Sequence, residues 1–116
     1  MYKKVQIIAE VKIQSPFGFK SDKSWGELFQ VANTIGDIIS IHTDSRWGGS
    51  FELLKRARLL TTKPILAKGI HSTDDDIEKA VAYGADWVLV AGRIPRIRKE
   101  QCLIEPFTFE ELKNIP

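Results

Sequence analysis

The chain has 116 residues, of which 43% are hydrophobic and 28% charged, the balance of a globular protein with one domain over residues 1–116. Its net charge is +2, and its densest basic stretch (93–99) contains no aromatic residue, which argues against a nucleic-acid partner and favours a solvated loop there. The single cysteine excludes an internal disulfide and fits the reducing cytoplasm, and two histidines without ligand spacing argue against a metal site.

Four short apolar runs, rich in Ile, Val and Leu, predict the strands of a parallel sheet covered on both faces. They span residues 5–11, 37–43, 64–68 and 87–91. The first run contains Glu10 and is followed by Lys12, so we expect neither a signal peptide nor a membrane span there.

The segments between these runs have the apolar spacing and the end signals of amphipathic helices. Ser24 begins a capping box for the first helix, and Gly36 ends it. Ser50 is the expected cap of the second helix, which ends before the third strand. Ser72 is expected to begin the third helix, with three aspartates in the first turn and Gly84 at its end. The pattern is therefore β-α-β-α-β-α-β.

The rhythm changes after the fourth strand. Residues 92–101 are too few for a crossover helix with its loops, residues 102–105 could form a fifth strand, and residues 108–111 resemble another capping box. Four to five parallel βα units fit two α/β architectures: a flavodoxin-like open sheet, or a partial (β/α)8 TIM barrel. A full barrel takes about 250 residues, so this chain would hold about half of one.

Charged residues stand at the carboxyl ends of two predicted strands, where parallel sheets hold their ligands. Glu10 and Lys12 are two residues apart and share a face of the first strand, and Lys68 ends the third. A partly desolvated lysine near other cations has a lowered pKa, which suits acid–base catalysis. Two simpler interpretations stay open: a structural Glu–Lys contact, and a lysine extending to solvent.

A loop with paired glycines follows the second strand, in the sequence TDSRWGGS at residues 43–50. The glycines permit a tight turn. Trp47 could form an apolar wall for an aromatic substrate, although the segment could equally be a turn without a ligand role.

Four ordered blocks of sequence, taken together, resemble the indole-3-glycerol phosphate synthase family. The resemblance covers about residues 5–91 and depends on the order and spacing of the blocks more than on any one of them. The blocks are IAEVK and SPFG (8–12 and 15–18), TD and WGGS (43–44 and 47–50), PILAK (64–68), and AYGADWVLV (82–90).

The resemblance implies half of a TIM barrel and a carboxy-lyase of tryptophan biosynthesis, which acts without a cofactor. The reaction is a ring-closing decarboxylation and dehydration of carboxyphenylamino-deoxyribulose phosphate. By position, Lys68 resembles the general acid, Lys12 the lysine near the phosphate and carboxylate, and Glu10 the group that orients them. Ser15 resembles a residue of the loop that closes over the substrate, and Glu105, in the context LIE, resembles the family's general base.

Several departures from the family pattern support a second hypothesis. Gly69 and Ile70 replace an aspartate and a phenylalanine, Phe17 replaces a serine, and strands six to eight, which hold the phosphate in the family, have no counterpart in these residues. The chain could instead be a non-catalytic remnant that binds a phosphorylated metabolite or acts as an interaction half-barrel. A relative of phosphoribosylanthranilate isomerase fits less well, because that family carries a reactive cysteine on its first strand.

Half a barrel would leave two open strand edges and an uncovered apolar face. Burial against a second copy is the simplest remedy, so we expect a homodimer or a higher homo-oligomer.

Overall fold

A computed structural model describes residues 6–105, which form one five-stranded parallel sheet with three α-helices. The strands lie side by side in chain order, each paired with its predecessor. This order is that of consecutive barrel units and differs from that of a flavodoxin-like sheet, in which the chain reverses direction along the sheet. The predicted α/β half-barrel is therefore confirmed. The elements are β1 (Ile8–Val11), α1 (Trp25–Ile35), β2 (Ile38–His42), α2 (Phe51–Leu60), β3 (Ile65–Lys68), α3 (Asp74–Ala82), β4 (Trp87–Ala91) and β5 (Cys102–Glu105).

One hydrophobic core lies between the helices and one face of the sheet. It takes alternate residues of β1 to β4, as the two-residue period of a strand requires, and packs them against the apolar stripes of the helices. The strand residues are Ala9, Val11, Ile39, Ile41, Ile65, Ala67, Val88 and Val90, and the helix residues include Phe29, Ala32, Leu54, Ala57, Ile77 and Ala80.

The opposite face of the sheet is open, so the expectation of strands covered on both faces is wrong at the sides of the sheet. Ile8, Trp87 and Leu103 have 54%, 38% and 43% of their surface exposed. On the central strands, Ser40 and Leu66 of the same face are buried. Within residues 6–105, only the two central strands, β2 and β3, therefore have buried residues on both faces.

The predicted helix starts are confirmed for α1 and α2 and shifted by one residue for α3. The Ser24 and Ser50 hydroxyls accept hydrogen bonds from backbone N–H groups of the first turns. At α3 the cap is Thr73 instead of Ser72, and its hydroxyl accepts from the Asp76 N–H at 3.2 Å. The chain before Thr73 is held by His71, which is buried at a φ of 50° and hydrogen bonded through both ring nitrogens.

The connection between β4 and β5 contains no α-helix, as predicted. A single 3-10 turn over Lys99–Gln101 leads into β5, which pairs in parallel with β4. Arg93 and Arg98 of this connection bond to Asp74 and Glu78 at 2.9 and 2.8 Å, so the basic stretch is tied to α3 and is not simply a solvated loop. The predicted capping box at 108–111 lies outside the described residues. No helix within residues 6–105 is long and apolar enough to cross a membrane.

Candidate active site

A cleft of about 370 Å³ opens on the uncovered face, at the carboxyl ends of β1 to β4. Its walls combine charged side chains from the first three strands with apolar side chains from β4 and the turns. This is the edge at which parallel sheets hold ligands. The lining residues are Glu10, Lys12, His42, Arg46, Trp47, Lys68, Gly69, Ile70, Leu89 and Ala91.

The Glu10 carboxylate connects three strands. Its Oε1 atom accepts a hydrogen bond from Lys68 Nζ at 2.9 Å and lies 2.5 Å from His42 Nε2. Glu10 is on β1 and Lys68 on β3, so the ion pair crosses β2, which contributes His42. The contact between Glu10 and Lys12 that the sequence left open is not among the ion pairs of residues 6–105; Glu10 pairs with Lys68 instead, in the cleft.

These contacts keep Glu10 ionised at neutral pH. The hydrogen bond from His42, followed by the bond and charge of Lys68, lowers the pKa of Glu10 to about 2, against the opposing effect of its partial burial. An ionised carboxylate only accepts hydrogen bonds. His42 Nε2 therefore carries the proton in this contact.

Lys12 lies in the same cleft and points to the loop after β1. Its Nζ atom is 5.2 Å from the centre of the Phe19 ring, within range of a cation–π interaction. Among the described residues Lys12 has no carboxylate partner, whereas Lys68 has Glu10 and Arg46 has Asp44. The cleft thus holds an excess positive charge that would attract an anionic ligand.

Trp47 forms one wall of the cleft. It lies on a 3-10 turn, Ser45–Trp47, and its ring stacks on His42 with centroids 5.8 Å apart and planes 9° from parallel. Asp44 accepts from the Arg46 backbone and guanidinium, and these bonds lower the pKa of Asp44. The turn needs its glycines, because a Cβ at Gly49 would lie 2.2 Å from the His42 carbonyl oxygen.

Ser15 does not line the cleft. Its hydroxyl accepts from the backbone N–H groups of Phe17 and Phe19 at 3.2 and 3.4 Å and so shapes the turn after β1. Phe17, which replaces the serine of the family pattern, is 90% exposed. A contact of Ser15 with substrate stays a prediction.

Glu105 is the last residue of β5, and its backbone pairs with Ala91, which lines the cleft. The strand therefore ends at the expected edge. Its side chain lies outside the described residues, so its assignment as a base stays a prediction.

The two histidines were not recognised from the sequence. His42 is four residues after Ile38 on β2, so the two-residue period that paired Glu10 with Lys12 would also have placed it on the open face. His71 could not be placed in this way because it lies in a turn. His71 binds the Thr43 hydroxyl at 2.9 Å and lies 2.5 Å from the Leu89 carbonyl, and burial lowers its pKa.

His71 also explains one departure from the family pattern. A Cβ at Gly69 would lie 2.5 Å from the Thr43 hydroxyl, the group that binds His71. A side chain at position 69 would therefore displace the Thr43 hydroxyl from this bond, and Ile70 next to it supplies an apolar surface to the cleft. Within residues 6–105 no group of three or more His, Cys, Asp or Glu side chains could hold a metal ion.

The family model and three known proteins that this chain matches name the same enzyme. The family model for indole-3-glycerol phosphate synthase matches residues 1–105. An indole-3-glycerol phosphate synthase of Sulfurisphaera tokodaii is 33% identical over 105 residues, covering 89% of this chain and 42% of the relative. That of Pyrococcus furiosus is 33% identical over 135 residues (96% and 55%), and that of Campylobacter jejuni serotype O:23/36 is 32% identical over 107 residues (89% and 42%). The chain thus spans about half the length of the curated relatives it matches.

Proposed function

Because this chain belongs to the indole-3-glycerol phosphate synthase family, we propose that it catalyses the reaction after which the family is named. The substrate would be carboxyphenylamino-deoxyribulose phosphate, which closes to indole-glycerol phosphate with loss of carbon dioxide and water. The observation that carries this proposal is the convergence of Glu10, Lys12 and Lys68 on one cleft.

Lys68 is the proposed general acid. Its ammonium lies 2.9 Å from the Glu10 carboxylate, which holds it at the mouth of β3 and balances its charge. Ring closure places negative charge on the substrate's carbonyl oxygen, and a positioned ammonium donates a proton to that oxygen to give a hydroxyl. After the carboxylate has left as carbon dioxide, this hydroxyl takes a second proton and leaves as water.

Lys12 is the proposed anion-binding group. It has no carboxylate partner among residues 6–105, and so it is available for the substrate's carboxylate or phosphate. Trp47 and Ile70 line the cleft beside it and offer an apolar surface to the anilino ring. Ser15 would act within the closing loop, and Glu105 would be the general base.

The test is formation of indole-glycerol phosphate, followed by its fluorescence, for the wild type and Lys68→Ala. Removing the acid should lower turnover by about 10²- to 10⁴-fold. Lys55→Ala is the matched control, because Lys55 is an exposed lysine of α2 far from the cleft lining and should leave turnover unchanged. Substrate binding without turnover in the wild type would overturn the proposal and favour the non-catalytic remnant.

We also propose that the chain works as a cytoplasmic homodimer or higher homo-oligomer. The exposed Ile8, Trp87 and Leu103 lie together at the amino-terminal end of the open sheet face. A second copy has the same apolar surface and the same open edge strands, β1 and β5. A two-fold arrangement of two copies would therefore bury the apolar surfaces and the strand edges together.

A further inference from the structure

The Glu10 carboxylate has a second partner besides Lys68, the imidazole of His42. β1 and β3 are separated by β2, so the Glu10 carboxylate has to reach across a strand to meet Lys68. The register partner of Glu10 on β2 is Ser40, whose short side chain leaves room for this reach. The next residue of β2 on the same face is His42, which is the register partner of Lys68.

We propose that His42 is a positioning residue: it clamps the Glu10 carboxylate and thereby sets the place of the Lys68 ammonium. His42 Nε2 and Lys68 Nζ meet the same oxygen, Glu10 Oε1, at 2.5 and 2.9 Å. The catalytic part of this inference rests on the proposed function, and its structural part does not.

His42 is itself held rigidly, which a clamp requires. Its side chain is 5% exposed and stacks on Trp47. Lys68, by contrast, has a long flexible side chain that is 41% exposed, so it could not fix the carboxylate alone. The buried imidazole of His42 therefore fixes the Glu10 carboxylate, and the carboxylate in turn fixes the Lys68 ammonium.

Four charged groups surround the clamp and determine how it responds to pH. Glu10 faces His42 from β1, Lys68 from β3, and Asp44 with Arg46 from the turn after β2. The bond from His42 is the largest of the effects that lower the pKa of Glu10. Without it, the carboxylate should titrate closer to its ordinary value.

The first experiment follows the Glu10 carboxyl carbon by NMR during acid titration of the full chain, with Glu10→Gln to assign the signal. In the wild type the group should stay ionised at about pH 3.5, whereas in His42→Leu, an apolar replacement of similar size, its midpoint should rise and a larger fraction should be protonated there. His42→Gln retains an N–H donor and should restore the low midpoint. An unchanged midpoint in His42→Leu would overturn the proposal.

A second measurement needs no variant, and so it stands if His42→Leu does not fold. Nitrogen NMR of the wild-type imidazole at neutral pH should show the proton on Nε2 of His42, the atom that meets Glu10. A neutral ring with its proton on Nδ1 alone would contradict the clamp.

The kinetic readout separates positioning from binding. His42→Leu should lower kcat about tenfold to a hundredfold with KM nearly unchanged, and His42→Gln should recover most of the loss. An inactive wild type with a His42-dependent Glu10 titration would remove the proposed function and leave the clamp in place. An active wild type with equal kcat in all three proteins would overturn the positioning role of His42 in catalysis and leave the proposed function in place.

Discussion

The two ends of the open sheet face are built on the same strands and differ sharply. At the amino-terminal end Ile8, Leu66 and Trp87 line an apolar trough of about 350 Å³. Two residues further along β1 and β3, Glu10 and Lys68 form the ion pair of the cleft. Because the strand period is two, β1 and β3 both change from apolar to charged on the same face.

Within residues 6–105 the charged groups of Glu10 and Lys68 at the carboxyl end have partners, whereas the apolar side chains at the amino-terminal end do not. At the carboxyl end the Lys68 ammonium and the His42 imidazole are both hydrogen bonded to the Glu10 carboxylate. At the amino-terminal end the large apolar side chains face solvent, and exposed contiguous apolar surface marks an interaction site. This difference supports the two proposals made above, a small-molecule ligand at the carboxyl end and a second protein surface at the amino-terminal end.

The largest expected effect tests whether the apolar end is truly uncovered. Ile41→Ala removes a fully buried core side chain and should lower the free energy of unfolding by about 2–5 kcal/mol. Ile8→Ala changes an exposed side chain of the open face and should cost less than about 0.5 kcal/mol. Urea denaturation at low protein concentration measures both. Equal losses would show that the open face is covered in solution.

A smaller effect is expected on self-association. Trp87→Glu places a charge in the apolar trough and should raise the dissociation constant of the oligomer by about a hundredfold, as loss of an aromatic anchor does. Leu59→Glu is the matched control, because Leu59 is a highly exposed leucine of α2 on the other side of the sheet. Sedimentation equilibrium gives both constants. A wild type that stays monomeric would refute the second-copy proposal and leave a different chain segment or protein as the occupant.

The smallest effect is expected on the free energy of unfolding at acid pH, through the buried His71 next to the cleft. Burial lowers the pKa of His71, so the unfolded chain binds more protons than the folded chain below the ordinary histidine pKa of about 6.5. The free energy of unfolding should therefore decrease as pH falls below this value, by at most about 1.4 kcal/mol per unit.

His71→Asn, which tolerates the positive φ, should flatten the curve below about pH 6.5. Glu10 acts in a lower window, because its pKa is depressed: its contribution is present above about pH 4.5 and is lost as pH falls toward 2. A His71→Asn curve parallel to that of the wild type above pH 4.5 would contradict the assignment.

The sequence predicts most of the fold, because strand runs and caps are local signals. Ser24 and Ser50 act as expected, and the missing helix before β5 follows from the number of intervening residues. The predicted start of α3 is wrong by one residue. The observed start depends on how His71 is held by Thr43 and by Leu89 of β4, which no local pattern reveals.

The site is only partly predictable from the sequence. Strand ends and the family pattern point to Glu10, Lys12 and Lys68, and the structure brings all three to one cleft. The carboxylate's second partner, His42, was missed because a histidine at the end of an apolar run resembles an ordinary buried residue. Its contact with Glu10 spans 32 positions and depends on strand register, which is a tertiary property.

The chain-order arrangement of the strands also has a consequence for assembly of the protein. Each strand pairs with the one synthesised before it, so units can dock one after another as the chain leaves the ribosome, with short loops to close at each step. The bond between Glu10 and Lys68 spans 58 positions and cannot form until β3 has docked. The ionic network can therefore form only after the first three strands have come together.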